Sequence, residues 1–327
     1  MTVAKSSAEA ANPAVARLLA PLGRWLGAGD RVIEIQVNRP GEAWIEREVA
    51  ADGRVTSRFE RVPVPELTRQ WAENLGHVLA NVRSLPFSAE RPSLAVLLPG
   101  DHRLQLVTGK YVASGVALSI RVHRNRRYEL EAFGLEGEEL ERLRDLARRR
   151  GSIVVSGQTG TGKTAFLNAL LREVPGEERI VTVEDVRELE VLQANNVALL
   201  VGRLATGGDL GYREMIDAVT RLRPDLVVGG ELSVDSAAAY LRLLTLGHGG
   251  FMTTLHADSP LAALVAWRRN VELGSNSATG GPAVLQLLAR ALDAVVQLDR
   301  VRGERRVTEI AFRPAGGTLE VDWERLL

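Results

Sequence analysis

The stretch "SIVVSGQTGTGKTAFLNALL" constrains this chain more than any other. Its first residues are β-branched and apolar, as a buried strand requires, and its last are good helix formers. Between them stand Gly157, Gln158, Thr159, Gly160, Thr161, Gly162, Lys163 and Thr164, which fit the spacing G-x-x-x-x-G-K-[ST]. A Gly-rich turn that leads from a strand into a helix presents backbone N–H groups and the positive end of the helix dipole to one point. Phosphate is the group they suit. Lys163 would reach the β- and γ-phosphates, Thr164 would hold Mg²⁺, and Ala165 joins the candidate nucleotide contacts from the first helical turn. A chance Gly-rich turn is the competing reading, and the flanking strand and helix weigh against it.

Around this loop, apolar runs alternate with helical patterns: "RIVTVED", "DLVVGGE", "FMTTLHA" and "DAVVQLD". That rhythm predicts an α/β half, with a mostly parallel sheet covered by helices on both faces. Ligands of such sheets gather at the carboxyl ends of the strands. Glu184 and Asp185 end one strand and are candidates, Glu184 for catalysis and both, with Thr164, for the metal, although Asp185 with Glu188 three residues later also reads as a helix cap. Glu231 follows another strand, where a carboxylate can order Mg²⁺ or an attacking water. Gly229 and Gly230 just before it would let the backbone approach a ligand closely. An ordinary loop glutamate is the alternative.

Two of the five histidines lie in "GHGGFMTTLHADSP". His256 falls where an apolar strand ends, on the rim that carries Gly157, Glu184 and Glu231. His248 sits in the Gly-rich turn before it. Neither has the i, i+4 spacing of a zinc helix, and no cysteine is available. A lone histidine is usually structural. On the rim of a phosphate site, contact with a γ-phosphate or a water becomes the sharper reading.

The first half has a different rhythm. "RVIEIQVN", "EAWIERE" and "RVTSRFE" alternate polar and apolar residues between turn signals, and "VPELTRQWAENLGHVLANVR" has helical period. "SLAVLLPG", "HRLQLVTG" and "GVALSIRVH" add strands, so an α+β domain is expected over 13–123. Residues 1–12 read as a disordered lead, 124–138 as a charged linker and 139–327 as the phosphate-loop domain. "PAVARLLAPLGRWLG" has an apolar helical face with Pro21 to kink it. It suits either a membrane surface or the core of its own domain.

Composition narrows the function classes. The chain has 327 residues with 41 basic and 41 acidic side chains, so no net field attracts nucleic acid, although "HRNRR" could bind phosphate locally. It contains no cysteine, which excludes disulfides and thiolate chemistry. No basic-then-apolar leader and no run of roughly 20 apolar residues is visible. A soluble protein, at most peripheral to a membrane, is expected.

Together these boxes resemble the secretion ATPase superfamily, the motors of type II secretion, type IV pili and type IV secretion, along nearly the whole chain. "GQTGTGKT" looks like its Walker A box, "VTVEDVREL" its acidic box, "RLRPDLVVGGE" its Walker B box and "GHGGFMTTLHADSP" its histidine box. The first half and the closing "AVVQLDRVRGERRVTEI" are similar to the VirB-type traffic ATPases of conjugation and effector delivery. The resemblance implies an N-terminal domain joined to a RecA-like motor, ATP with Mg²⁺, and a homo-hexameric ring. It also implies a cytoplasmic place, peripheral to the inner membrane and in contact with membrane components of a secretion machine. It further implies that Arg121 and Arg103 of the first half reach the nucleotide phosphates. Two departures stand out. Ser233 replaces an arginine usual after the Walker B strand, and the proline-rich stretch common before the last N-domain strand is missing from "VTGKYVASGVALS".

A secretion or conjugation motor is thus the leading expectation. A pilus or type II assembly motor comes next, and a non-hydrolysing nucleotide-dependent scaffold third. Sequence-specific nucleic-acid binding is not expected.

Overall fold

The computed structural model describes residues 12–27, 31–51, 54–123, 127–185, 187–201, 211–245, 250–275 and 281–322. The lead expected over 1–12 therefore lies outside the described residues except for Asn12, as do most of "HRNRR" and His248. The chain divides into two compact units, Met1–Arg126 and Arg127–Leu327.

In the first unit, Asn12 caps α1 (Pro13–Leu19), its side chain accepting from the N–H groups of Ala14 and Val15. A 3₁₀ turn at Ala20–Leu22 follows, because Pro21 offers no N–H, and then α2 (Gly23–Leu26). Val15, Leu19, Leu22 and Trp25 are buried. The apolar face that could have met a membrane thus lies in this unit's own core. The remaining elements are β1 (Val32–Val37), β2 (Glu42–Ala51), β3 (Arg54–Pro63), α3 (Arg69–Arg83), β4 (Ser93–Leu97), β5 (Arg103–Thr108) and β6 (Val116–Arg121). The six strands form one antiparallel sheet in the order β3-β2-β1-β6-β5-β4. Strand residues alternate between core and solvent, as a sheet with one buried face requires. Helix α3 starts at Thr68, whose hydroxyl accepts from the Trp71 N–H, and Trp71 Nε1 in turn donates to Leu18 O at 2.7 Å. That bond ties α3 to α1.

The second unit contains α4 (Gly137–Arg148), β7 (Ile153–Gly157), α5 (Lys163–Glu173), β8 (Ile180–Glu184), β9 (Asn196–Leu200), α6 (Tyr212–Arg221) and β10 (Leu226–Gly229). It continues with α7 (Val234–Thr245), β11 (Gly250–Leu255), α8 (Pro260–Ser275), α9 (Gly281–Ala291), β12 (Ala294–Val301) and β13 (Glu304–Phe312). Seven strands run in the order β13-β12-β7-β11-β10-β8-β9, parallel except for β13. Every residue of β7, β8, β10 and β11 is buried. Their apolar runs are continuous because helices cover both faces. Phe166, Leu167 and Leu170 of α5 pack with Leu143 and Leu146 of α4 and with Ile153 and Val155 on one face. Ile216, Tyr240, Trp267 and Leu288 pack with Val154 and Val227 on the other. The α/β architecture is the one expected.

Two features differ from the reading of the sequence. Residues 127–138, taken from their charges as linker, include Leu130, Phe133 and Leu135, which are buried in the core of the second unit. The Phe133 ring meets the Phe166 ring edge-on at 5.0 Å. And no helix follows Asp185 among residues 187–195, so the helix-cap alternative for Asp185 and Glu188 falls away.

Candidate nucleotide site

The carboxyl ends of β7, β8, β10 and β11 bring Gly157, Glu184, Glu231 and His256 to one rim of the sheet. Beyond β7 the chain turns through Gln158–Gly162 and enters α5 at Lys163. Gln158 and Thr159 are exposed and Thr161 is buried, its hydroxyl donating to Gln158 O at 2.9 Å. Gln158 Nε2 also donates to Asp258 Oδ1. Gly160 O accepts from Arg300 Nε at 3.0 Å. Ala165 is half-buried and packs against the α4–α5 core.

Lys163 is buried and curls back over this loop. Its Nζ donates to Gly157 O at 2.9 Å and Gln158 O at 3.1 Å, and stands 3.3 Å from His256 Nδ1. His256 Nε2 lies 3.1 Å from Glu231 Oε1. An ammonium has only protons to give, so Nδ1 accepts and the proton of a neutral ring sits on Nε2, facing the carboxylate. The electrostatics agree: burial and the Lys163 charge both lower the His256 pKa, against the pull of Glu231. Cation, imidazole and carboxylate form one line across the rim.

Glu184 has a different setting. It is 1% exposed, and its Oε1 accepts from the N–H groups of Glu188 at 2.8 Å and Leu189 at 2.9 Å. Burial pushes its pKa up to about 7 despite those two bonds. The carboxylate thus organises the backbone after β8. Gly229 and Gly230 explain how it fits. A Cβ on Gly230 would stand 3.1 Å from Glu184 Cγ, and one on Gly229 would stand 2.6 Å from the buried Tyr240 ring. The close approach those glycines permit is to protein, where the sequence suggested a ligand. Tyr240 donates its hydroxyl to Val183 O at 3.1 Å and so braces β8 from behind.

Glu188, read from sequence only as a capping partner, stands beside the loop. Its Oε2 is 3.3 Å from Thr164 Oγ1. A hydroxyl and a carboxylate are the hard oxygen donors Mg²⁺ takes from a protein when phosphates and water supply the rest. Asp185 is half-buried at the end of β8. Among the described residues no three acidic or histidine side chains converge, so a protein-only metal cage is not built here.

Arg103 and Arg121 belong to the first unit, where they are register partners on β5 and β6. Arg121 is exposed and lies opposite Glu34 of β1 on its other side. Ser233, where the resembling family usually has arginine, stands at the start of α7. Its N–H donates to the buried Ser236 Oγ at 2.9 Å and its carbonyl accepts from Ala237 N. The side chain three residues in thus closes the helix end, as in a capping box.

The comparisons with known proteins follow the same lines. The family model described as Type II/IV secretion system protein matches residues 20–311. The Type IV secretion system protein VirB11 of Bartonella henselae is 28% identical over 339 residues, spanning 90% of this chain and 92% of its own. The Type IV secretion system protein PtlH of Bordetella pertussis is 32% identical over 327 residues, spanning 90% and 94%. The X-ray structure of the Legionella pneumophila ATPase DotB shares the fold, with TM-score 0.61 and 15% identity over 90% of this chain and 79% of that one. With a match of that extent, and relatives aligned along nearly their whole length, the chain belongs to the type II/IV secretion system protein family, among its VirB11-like members.

Proposed function

We propose that this chain is the ATP-hydrolysing motor of a type IV secretion or conjugation system, driving substrate translocation or pilus assembly. The carrying observation is the line Lys163–His256–Glu231 at the mouth of the phosphate loop. In the present arrangement Lys163 lies against loop carbonyls. A triphosphate would compete for that ammonium, since phosphate oxygens carry more charge than Gly157 O and Gln158 O. Departure of Nζ from His256 removes the lesser of the two influences that lower its pKa, burial being the larger, and leaves His256 and Glu231 as a pair facing the terminal phosphate. Glu231 then orders the attacking water and His256 contacts the γ-phosphate or that water. Thr164 and Glu188, with Asp185 nearby, would hold Mg²⁺, which when bound screens the phosphate charge. Glu184 acts behind them by fixing the strand end.

By the same reading the protomers form a homo-hexameric ring, in the cytoplasm and peripheral to the inner membrane, docked on membrane components of the secretion machine. Arg103 and Arg121 are the first unit's candidate phosphate contacts. Among the described residues no helix is long and apolar enough to cross a membrane. Heterologous contacts that close give cyclic oligomers. Sedimentation with ATP and Mg²⁺, alongside measured phosphate release, tests the reading. A closed ring that releases phosphate is expected, whereas monomer alone at micromolar protein would count against the hexamer, and absence of release against the motor.

His256 has its own expected result. His256→Ala should lower turnover by about 10²-fold, the lower end for loss of a positioned proton-transfer group, while ADP affinity stays near wild type. ADP lacks the phosphate this side chain faces. A drop in melting temperature with unchanged turnover per folded molecule would make His256 structural.

A further inference from the structure

The β12–β13 hairpin carries two arginines at the phosphate loop that the chemistry above does not use. β12 runs parallel to β7 with Leu298 opposite Gly157. Residues past Leu298 therefore continue alongside the loop after β7 has ended. The hairpin reverses at Arg302 and Gly303, both at positive φ, and returns Arg305 opposite Arg300. This paired position lies against the loop's crest. Arg300 Nε donates to Gly160 O at 3.0 Å. The stem of Arg305 lies over Gly162, where an added Cβ would stand 2.7 Å from its Cδ. Gly162 itself has φ +96°, which favours glycine on backbone grounds as well.

We propose that Arg300 is a positioning residue that, with Arg305, clamps the Gly160–Gly162 crest in a phosphate-receiving shape. The proposal rests on the nucleotide reading of the loop. The C=O and N–H of a trans peptide point opposite ways. By holding Gly160 O outward, Arg300 turns the Thr161 N–H inward. There it makes a long bond to Gln158 O, at 3.3 Å, that a phosphate oxygen can replace. A loop with glycines at 157, 160 and 162 has many other shapes open to it, and holding one of them removes an ordering cost from binding.

The test uses the full chain with ADP and with inorganic tripolyphosphate as titrants. Arg300→Ala and Arg300→Lys should each weaken both ligands by about tenfold, the size expected for one charged hydrogen bond. The loss should sit in KM for ATP, with kcat at saturation and melting temperature unchanged, since Arg300 is exposed. Lysine keeps the charge but has no Nε–H at that place along the side chain. Arg300→Lys binding like wild type while Arg300→Ala does not would overturn the clamp, because charge alone would then suffice. Unchanged affinity in both variants overturns it directly. A loss confined to ADP overturns it too, since that would put Arg300 on the nucleoside. Wild-type protein that binds neither ligand would overturn the nucleotide reading and the clamp with it, a result seen before any variant is made.

Discussion

Lys163→Ala should lower ATP turnover by about 10³-fold or more, the upper end of what removal of one preorganised transition-state donor costs. Two effects act together. The ammonium that meets charge developing on the transferred phosphoryl group is lost. Gly157 O and Gln158 O also lose the Lys163 ammonium as a donor, so the loop is held less firmly before nucleotide arrives, although Thr161 still donates to Gln158 O. The helix should survive, since alanine is the best helix former and Lys163 is its first residue. Phosphate release under saturating Mg-ATP, with circular dichroism as the check on folding, gives the answer. Undiminished release would sink the motor reading.

Glu231→Gln is the second large expectation, and it separates chemistry from binding. The amide keeps the size of the carboxylate but neither accepts a proton from water nor carries charge. Turnover should fall by about 10²–10⁴-fold, as for other removed bases, while ATP binds at least as well as before. His256 should respond as well: it loses the partner at 3.1 Å that favours its charged form, so its titration moves further down. Proton NMR of the imidazole reads that shift in nucleotide-free protein. Wild-type turnover together with an unmoved His256 would make Glu231 a bystander.

How much of this site could be read from the chain alone divides along local and non-local lines. The strand–loop–helix at Gly157–Thr164 is local, so composition and spacing reveal it. Each of Glu184, Glu231 and His256 closes an apolar run, and the parallel-sheet rhythm places such ends on one rim. The direct pairing of His256 with both Lys163 and Glu231 could not be read, because it depends on β11 lying beside β7 with β10 next to it. Arg300 and Arg305 were hidden for the same reason. Their place at the loop follows from a register between strands about 140 residues apart, which no periodicity encodes. Strand β9 was missed although Asn195, Asn196 and Gly202 flank its apolar run; it is a half-exposed edge, unlike the fully buried β8 beside it. Glu188 was misjudged locally. Its spacing from Asp185 suits a helix cap, yet the buried Glu184 carboxylate takes the N–H groups of residues 188 and 189 in place of a helix.

The pairing of β7 with β12 has a consequence for biosynthesis. The strand that launches the phosphate loop emerges from the ribosome well before one of its two neighbours, which comes about 140 residues later. Until then one edge of β7 has no ladder to join, and Ser156 lacks Gln297, the acceptor its hydroxyl reaches at 2.5 Å. Distant parallel pairing forms late because the intervening chain must first be ordered. A nascent or truncated subunit that ends before residue 294 thus has the whole signature motif and no finished cradle for it. On the motor reading, competence to bind and turn over nucleotide is expected to arrive with the last parallel strand, so a subunit cut before residue 294 should release no phosphate from ATP.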